Sequence, residues 1–237
     1  MADKIQKAEK VAAQIANDLG ENLKAMVLCG TAMRAGYAPA HQEVNIMVMV
    51  EDASTKAIGP IEKSLAAWVK KGNAAPLIFE RGEWEGSTDV FPIEIEDMRE
   101  AHKLIAGTDP FEGAVTNRND LRRELERELR GKLLQLRAQY AAFAPNGGAL
   151  TRLLTESAST FFVLMRALVR FEGQTPEAKP ARLVEQAASI ADLDVGAFGW
   201  VVDKISGEKV KALRSDDPIA ARYVDEIQKL TNYVDQA

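Results

Sequence analysis

The sequence predicts an α+β fold in which a small mixed sheet with helices is followed by an all-α helical bundle. In the first half, short apolar runs of strand length alternate with amphipathic helical patterns. After residue 112 only helical periodicity remains. We therefore predict two domains, a mixed domain over residues 1–112 and a helical-bundle domain over residues 113–237.

The first domain is predicted to begin with a helix and two strands. Apolar residues recur at helical spacing over residues 4–19, and Gly20 follows at the position where glycine commonly ends a helix. Residues 25–29 and 43–50 are apolar runs of strand length. Ser54 or Thr55 can cap the helix that follows the second strand.

Two further strands are predicted before the boundary. Residues 76–80 form a short one, and residues 90–96 form another that contains Pro92. Because proline has no backbone N–H to donate to a ladder, this last strand is expected at an edge or a bulge. The element order is not a regular βαβ repeat, which favours a mixed sheet.

The second domain is predicted to be a bundle of four or five helices. Residues 120–143 carry leucines at three- and four-residue spacing and so present one apolar stripe. Residues 150–171 are apolar on most of their circumference, which is typical of a helix at the centre of a bundle. Shorter helices are expected near residues 181–191, 195–205 and 218–235. The predicted core of the central helix comprises Leu154, Phe161, Phe162, Met165 and Leu168.

Composition excludes several classes of protein. A chain of 237 residues with 46% hydrophobic and 27% charged residues can bury a full core. Its one cysteine, Cys29, lies in an apolar strand, so we expect no internal disulfide and a reducing compartment. We expect a cytoplasmic protein that does not enter the membrane, because the sequence shows neither a signal segment nor a run of ~18 apolar residues. A net charge of −5 argues against strong non-specific binding to nucleic acid, which depends on phosphate neutralisation.

Polar residues follow the first strand and open the second. Gly30 and Thr31 form a small turn directly after the first strand. Because side chains alternate between the two faces of a strand, Glu43 and Asn45 are expected on one face. A further carboxylate, Glu94, lies in the strand predicted over residues 90–96. The chain thus carries a small turn, a strand with an acid and an amide, and a later acidic position.

This order resembles the nucleotidyltransferase superfamily of the DNA polymerase beta type. Its members carry a Gly-Ser turn, an acidic-apolar-acidic strand and a third acidic residue on a later strand. The present chain departs from that pattern at Asn45, where the superfamily has an acid. Residues 89–94, 109–111 and 128–133 are also similar to a group of bacterial nucleotidyltransferase-like proteins with a helical C-terminal half. The resemblance implies that residues 1–112 form a nucleotidyltransferase-like domain.

The resemblance also implies roles for individual residues. Glu43, Asn45 and Glu94 take the catalytic positions, and Glu43 and Glu94 are the expected metal ligands. Mg²⁺ is the expected cation, because nucleotidyl transfer uses it to bridge phosphate oxygens. An amide oxygen can ligate Mg²⁺ but carries no charge, so two carboxylates in place of three should weaken the metal site.

A nucleoside triphosphate is the ligand that the resemblance implies. Its phosphates are expected near Gly30, where the chain can approach closely. Thr31, the backbone amides of the turn and Arg34 are the expected donors to the phosphate oxygens.

Three functions remain open on the sequence. The leading hypothesis is a nucleotidyltransferase-like protein with a degenerate metal site, acting as a nucleotide-binding or protein-interaction module with impaired or no transferase activity. The alternative is an active Mg²⁺-dependent enzyme that moves a nucleoside monophosphate onto a hydroxyl of a small molecule or a protein. The third is a helical interaction protein whose first domain is only a scaffold.

Each site residue also has a purely structural explanation. Glu43 and Asn45 are also explained as polar residues at the exposed start of a strand, and Glu94 as part of the solvated face of an edge strand. Gly30 suits a tight turn without any ligand. Arg34 lies in a loop, where a lone arginine usually faces solvent.

The sequence gives little support to a zinc site or to a basic ridge that binds phosphate or RNA. His41 and His102 lie far apart and lack the spacing of zinc ligands. The basic residues between positions 122 and 137 alternate with glutamates at helical distances. This alternation favours a salt-bridged helix surface over a ridge that binds phosphate or RNA.

Overall fold

The computed structural model describes residues 2–237, with side chains from Lys4 onward. The chain divides into two compact units. Residues 2–35 and 42–117 form the first unit, and residues 36–41 and 118–237 form the second. Residues 36–41, which form the middle of the loop between the first two strands, therefore belong to the helical unit.

The first unit is built on one mixed sheet, to which the described residues contribute four strands in the order β3-β2-β1-β4. The strands are β1 (Leu23–Cys29), β2 (Asn45–Val50), β3 (Leu77–Glu80) and β4 (His102–Gly107). β1 pairs antiparallel with both β2 and β4, and β2 pairs parallel with β3. The predicted mixed sheet is thus confirmed.

Five α-helices accompany the sheet within the described part of the first unit. They are α1 (Ala2–Leu19), α2 (Thr55–Ile58), α3 (Glu62–Lys70), α4 (Arg81–Glu85) and α5 (Pro92–Glu100). Ser54 caps α2 as predicted, since its hydroxyl accepts from the backbone N–H of Ala57 at 3.4 Å. The helix predicted after Ser54 is divided into α2 and α3 by a 3₁₀ turn over Gly59–Ile61, where Pro60 cannot donate a backbone hydrogen bond.

The strand predicted over residues 90–96 is wrong, because this segment opens helix α5. Proline suits the first turn of a helix, where its fixed φ matches the helix and its missing N–H would have no partner. Ile95 and Met98, three residues apart, lie buried against the sheet. The strand that completes the sheet is β4, which the sequence analysis did not identify.

Both faces of β1 and β2 are buried, which explains why these strands are almost wholly apolar. One face, with Ile46 and Val48, packs against α1 and α3. The other, with Met47 and Met49, packs against Trp84 of α4, α5 and Phe111. The alternation predicted for β2 is confirmed, and Asn45 belongs to the face that α5 covers.

The second unit contains the predicted helices. They are α6 (Arg118–Phe143), α7 (Gly147–Phe171), α8 (Pro180–Ala191), α9 (Val195–Ser206) and α10 (Pro218–Gln236). The central helix is α7, in which Leu154, Phe161, Phe162, Met165 and Leu168 are all buried as predicted. No helix in the described part of the chain combines the length and the apolar character that a membrane span requires.

Candidate functional site

The Gly30–Thr31 turn is held by hydrogen bonds within itself and by contacts with the segment that enters β2. Gly30 has φ of 104°, a value that side-chain-bearing residues rarely adopt. A Cβ at this position would lie 2.7 Å from the carbonyl oxygen of Glu43 and 3.3 Å from Nδ2 of Asn45. The glycine is therefore required both by its backbone conformation and by the close approach of the second strand.

Two hydrogen bonds fix the turn to Glu43. The backbone N–H of Glu43 donates to the hydroxyl oxygen of Thr31 at 2.8 Å. The backbone N–H of Ala32 donates to the carbonyl oxygen of Glu43 at 3.0 Å. The structure thus brings together Gly30, Thr31, Glu43 and Asn45, in a way that the sequence order alone could only suggest.

The amides of the turn are largely used within the protein. The turn is a 3₁₀ helix over Thr31–Met33, in which Met33 N–H donates to Gly30 and Arg34 N–H donates to Thr31. The amide of Ala32 is bonded to Glu43. The amides of these three residues therefore already have acceptors, which disfavours the expected role of the turn amides as phosphate donors.

One row of side chains crosses three strands at this end of the sheet. Cys29 is the register partner of Asn45 on β2 and of His102 on β4. The imidazole of His102 contacts the carboxylate of Asp109 at 3.1 Å through Nε2, and Nδ1 lies 3.0 Å from the carbonyl oxygen of Arg99. His102 therefore holds the segment after β4 against the end of α5.

Arg34 is a buried residue that α5 anchors. Its side chain is only 3% exposed, and its guanidinium pairs with the carboxylates of Asp97 at 3.1 Å and Glu100 at 3.2 Å. It also donates to the backbone carbonyl of Asp97 at 2.6 Å. This excludes the solvent-facing loop position considered for Arg34, and a guanidinium already bound by two carboxylates is poorly placed to contact a phosphate.

The same ion pair acts on Cys29. Burial and the neighbouring Asp97 carboxylate raise the pKa of the Cys29 thiol to about 11, and Arg34 partly opposes this shift. The thiol donates to the carbonyl oxygen of Asn45 at 3.8 Å. Cys29 is thus a buried, protonated core residue that lies close to the Arg34–Asp97 pair.

Glu94 lies in the first turn of α5 and is exposed. Its placement on a helix departs from the superfamily pattern, in which the third acid lies on a strand. Among the residues that the structure describes, no three or more His, Cys, Asp or Glu side chains cluster as a metal site. Glu43 and Glu94 are both exposed, and no third such side chain of the described residues joins them in a cluster of this kind.

Asp97 and Glu100 contact Arg34 beside the turn, although neither was predicted as a site residue. They are three residues apart on α5 and reach Arg34 together because such pairs share a helix face. The signal was present in the sequence, but it could be recognised only once the segment was assigned as a helix.

The described residues of the first unit also form a cleft of about 560 Å³ at the opposite end of the sheet. Met49, Trp84 and Lys24 line it, together with the exposed ion pair of Arg81 and Glu85. Met49 is four residues along β2 from Asn45, so the cleft lies roughly 13 Å from the Gly30–Asn45 turn. This cleft and the resemblance-based site therefore do not coincide.

Comparisons with known proteins support the fold. No protein family matches the sequence, and no curated protein matches it. A solved structure, the spectinomycin adenyltransferase AAD(9) from Enterococcus faecialis with ATP and spectinomycin, matches with a TM-score of 0.50 at 13% sequence identity. The match covers 98% of this chain and 99% of that one. At this identity the likeness shows the fold, and the chain has a nucleotidyltransferase-like α+β fold with a helical C-terminal half.

Proposed function

We propose that this protein is a nucleotidyltransferase-like module that binds a nucleotide at the Gly30–Asn45 turn and has impaired or no transferase activity. One observation supports the proposal most directly. The Gly30–Thr31 turn is hydrogen-bonded to Glu43, and the Asn45 carboxamide lies beside it. Glycine allows this junction, because a side chain at position 30 would clash with the carbonyl oxygen of Glu43. In this proposal Gly30 and Thr31 contact the phosphates and Arg34 acts on them only indirectly.

The proposed metal ligands fit a Mg²⁺ ion only in part. Glu43 is exposed in the segment just before β2, which begins at the neutral Asn45 and not at residue 43 as predicted. Mg²⁺ in nucleotide sites is usually held by one or two carboxylates together with water and substrate phosphates. The chain can therefore hold the ion through Glu43, with Glu94 as a second proposed ligand, provided that the nucleotide supplies the remaining oxygens.

An active transferase is the second candidate, and the full-length likeness to a protein solved with ATP and spectinomycin favours it. In this reaction a hydroxyl of a small molecule or a protein attacks the α-phosphorus. The bond to the bridging oxygen breaks and pyrophosphate leaves. The hydroxyl proton passes to a base, for which Glu94 is the proposed residue.

Nucleotide binding is the test of the leading proposal. Titration calorimetry with each of the four ribonucleoside triphosphates and Mg²⁺ should show binding that Glu43→Gln weakens about tenfold or more, as expected when a charged metal ligand is lost. The matched control is Glu51→Gln, which removes an exposed carboxylate directly after β2 at its other end. Absence of binding at millimolar nucleotide, or equal effects of the two substitutions, would overturn the proposed site.

Turnover separates the two candidates. With labelled triphosphate and an acceptor such as spectinomycin, the leading proposal expects binding without release of pyrophosphate. Pyrophosphate release that depends on both the acceptor and Glu94 would establish the active transferase. If no nucleotide binds, the remaining hypothesis is a protein-interaction module, and copurified partners would then be sought on the helical unit.

A further inference from the structure

We propose that Arg34 is a positioning residue of the candidate nucleotide site, through which α5 fixes the Gly30–Thr31 turn against Glu43. The inference rests on the proposed function for its effect on nucleotide binding. Its structural part, the control of the turn by Asp97 and Glu100, stands on the geometry alone. Neither carboxylate belongs to the superfamily pattern that suggested the site.

The first step is the anchoring of Arg34 on the helix. The guanidinium makes two charge-assisted contacts, to Asp97 and Glu100, and one hydrogen bond to the carbonyl oxygen of Asp97. The side chain is 3% exposed, so water screens these contacts little. A planar guanidinium held by several acceptors has one defined orientation, which a flexible lysine ammonium would not reproduce.

The backbone of Arg34 links its fixed side chain to the turn. Arg34 directly follows the 3₁₀ turn, and its backbone N–H closes the turn by donating to the carbonyl oxygen of Thr31 at 3.1 Å. The hydroxyl of Thr31 then holds the backbone N–H of Glu43 at 2.8 Å. A continuous series of contacts therefore runs from α5 through Arg34 and Thr31 to the proposed metal ligand.

A change in Arg34 would alter how firmly the turn is held against the start of β2. Loss of the guanidinium geometry frees the turn to move relative to the start of β2, and the Thr31–Glu43 bond becomes less populated. The backbone of Glu43, which carries the proposed metal ligand, is then held less firmly against the turn. Nucleotide affinity falls although Arg34 itself touches no phosphate.

The experiment compares Arg34→Lys and Glu100→Gln with the control Arg81→Lys. Arg81 is an exposed arginine of the same unit that pairs with Glu85. Amide hydrogen exchange of the full chain without nucleotide is the first readout. Exchange at Ala32 and Glu43 should become about tenfold faster or more in the two test variants and stay unchanged in the control. Unchanged exchange at both amides would overturn the inference.

Nucleotide affinity is the second readout, measured with ATP and Mg²⁺. Arg34→Lys should raise the dissociation constant about tenfold, and this effect should largely disappear in a Thr31→Val background, because both changes break the same series of contacts. Full additivity of the two effects would show that Arg34 acts directly on the phosphates, against the inference. If the unchanged protein binds no nucleotide but the exchange result holds, the proposed function fails and the structural role of Arg34 stands. If Arg34→Lys does not fold, Glu100→Gln alone decides, since it retains Arg34 and Asp97.

Discussion

Asn45 differs from an aspartate by a single charge and almost no volume. The structure places it beside Gly30 and on the same face as Met47. A carboxylate here would add a negative charge two residues from Glu43, and like charges that face each other are favourable only with a cation between them. Asn45→Asp would therefore add one negative charge at the start of β2.

Asn45→Asp should have opposite effects with and without metal. Without Mg²⁺ the new carboxylate should lower the thermal midpoint slightly, because it repels Glu43. With Mg²⁺ and nucleotide the midpoint should rise above that of the unchanged protein, because a ligand that binds only the native state stabilises it by mass action. The measurement is thermal unfolding in both conditions. Identical midpoints for the two proteins throughout would mean that residue 45 faces no cation site.

Cys29 should be chemically inert in the folded protein. Its pKa of about 11 leaves on the order of one thiolate in ten thousand molecules at pH 7, and the thiolate is the reactive form. Alkylation by iodoacetamide should be slow in the native protein and fast in denaturant. The pKa of this thiol is raised in the folded protein above its unfolded value of 9.0. Its contribution to the free energy of unfolding is therefore fully present below about pH 9 and is lost as the pH rises through about 11. Rapid native alkylation at neutral pH would show that β1 is open at this end.

At the scale of single elements, α5 shows how a local pattern can be misassigned. The sequence Phe-Pro-Ile-Glu-Ile-Glu alternates apolar and acidic residues, as a half-buried strand does. Proline at the first helical position and an acid in the first turn are equally typical of a helix N-terminus. The choice between them depends on where the segment packs, and it packs as a helix on the sheet. The position of Glu94 relative to Glu43 changes with that choice.

The central helix α7 gives a direct test of the bundle core. Phe162 is fully buried in it, so Phe162→Ala should destabilise the protein by roughly 3–5 kcal/mol through lost burial and a residual cavity. Chemical denaturation monitored by circular dichroism measures the change. Leu134→Ala on α6 is the control, since that side chain is 65% exposed and its loss should cost within about 0.5 kcal/mol. Equal midpoints for the two variants would place Phe162 outside the cooperative core.

At the scale of the whole molecule, charge is distributed in compensating pairs. On α6 the arginines at positions 122, 123, 127 and 130 each lie within ion-pair distance of an acidic residue. The predicted salt-bridged surface of this helix is thus confirmed at these four positions. Exposed pairs of this kind contribute little stability, but they leave no uncompensated row of cations on these positions.

The protein should bind duplex DNA only weakly. With a net charge of −5, we expect no binding tighter than about 10⁻⁴ M at roughly 0.15 M salt. Fluorescence anisotropy with a labelled duplex of mixed sequence is the measurement, and a basic DNA-binding protein serves as the positive control. Micromolar affinity that falls steeply with salt would reveal a basic surface that the overall charge conceals.

The sequence by itself determined the elements whose signal is local. Helical periodicity and capping residues fixed α1 and the five helices of the second unit, and apolar strand-length runs fixed β1 and β2. Glycine at position 30 was also identifiable, since a turn after a strand is a local event. These features depend on neighbouring residues along the chain, so they could be predicted without knowing what packs against them.

Only the tertiary structure decided which residues meet. Arg34 was predicted to contact phosphate, but two carboxylates more than sixty residues away bury and neutralise it. Glu94 was predicted on a strand, but packing against the sheet makes its segment a helix. Burial and ion pairing depend on distant segments, and their free energies exceed the small local preferences that distinguish strand from helix. For that reason the turn at Gly30 was predictable from the sequence, whereas the cluster that holds it was not.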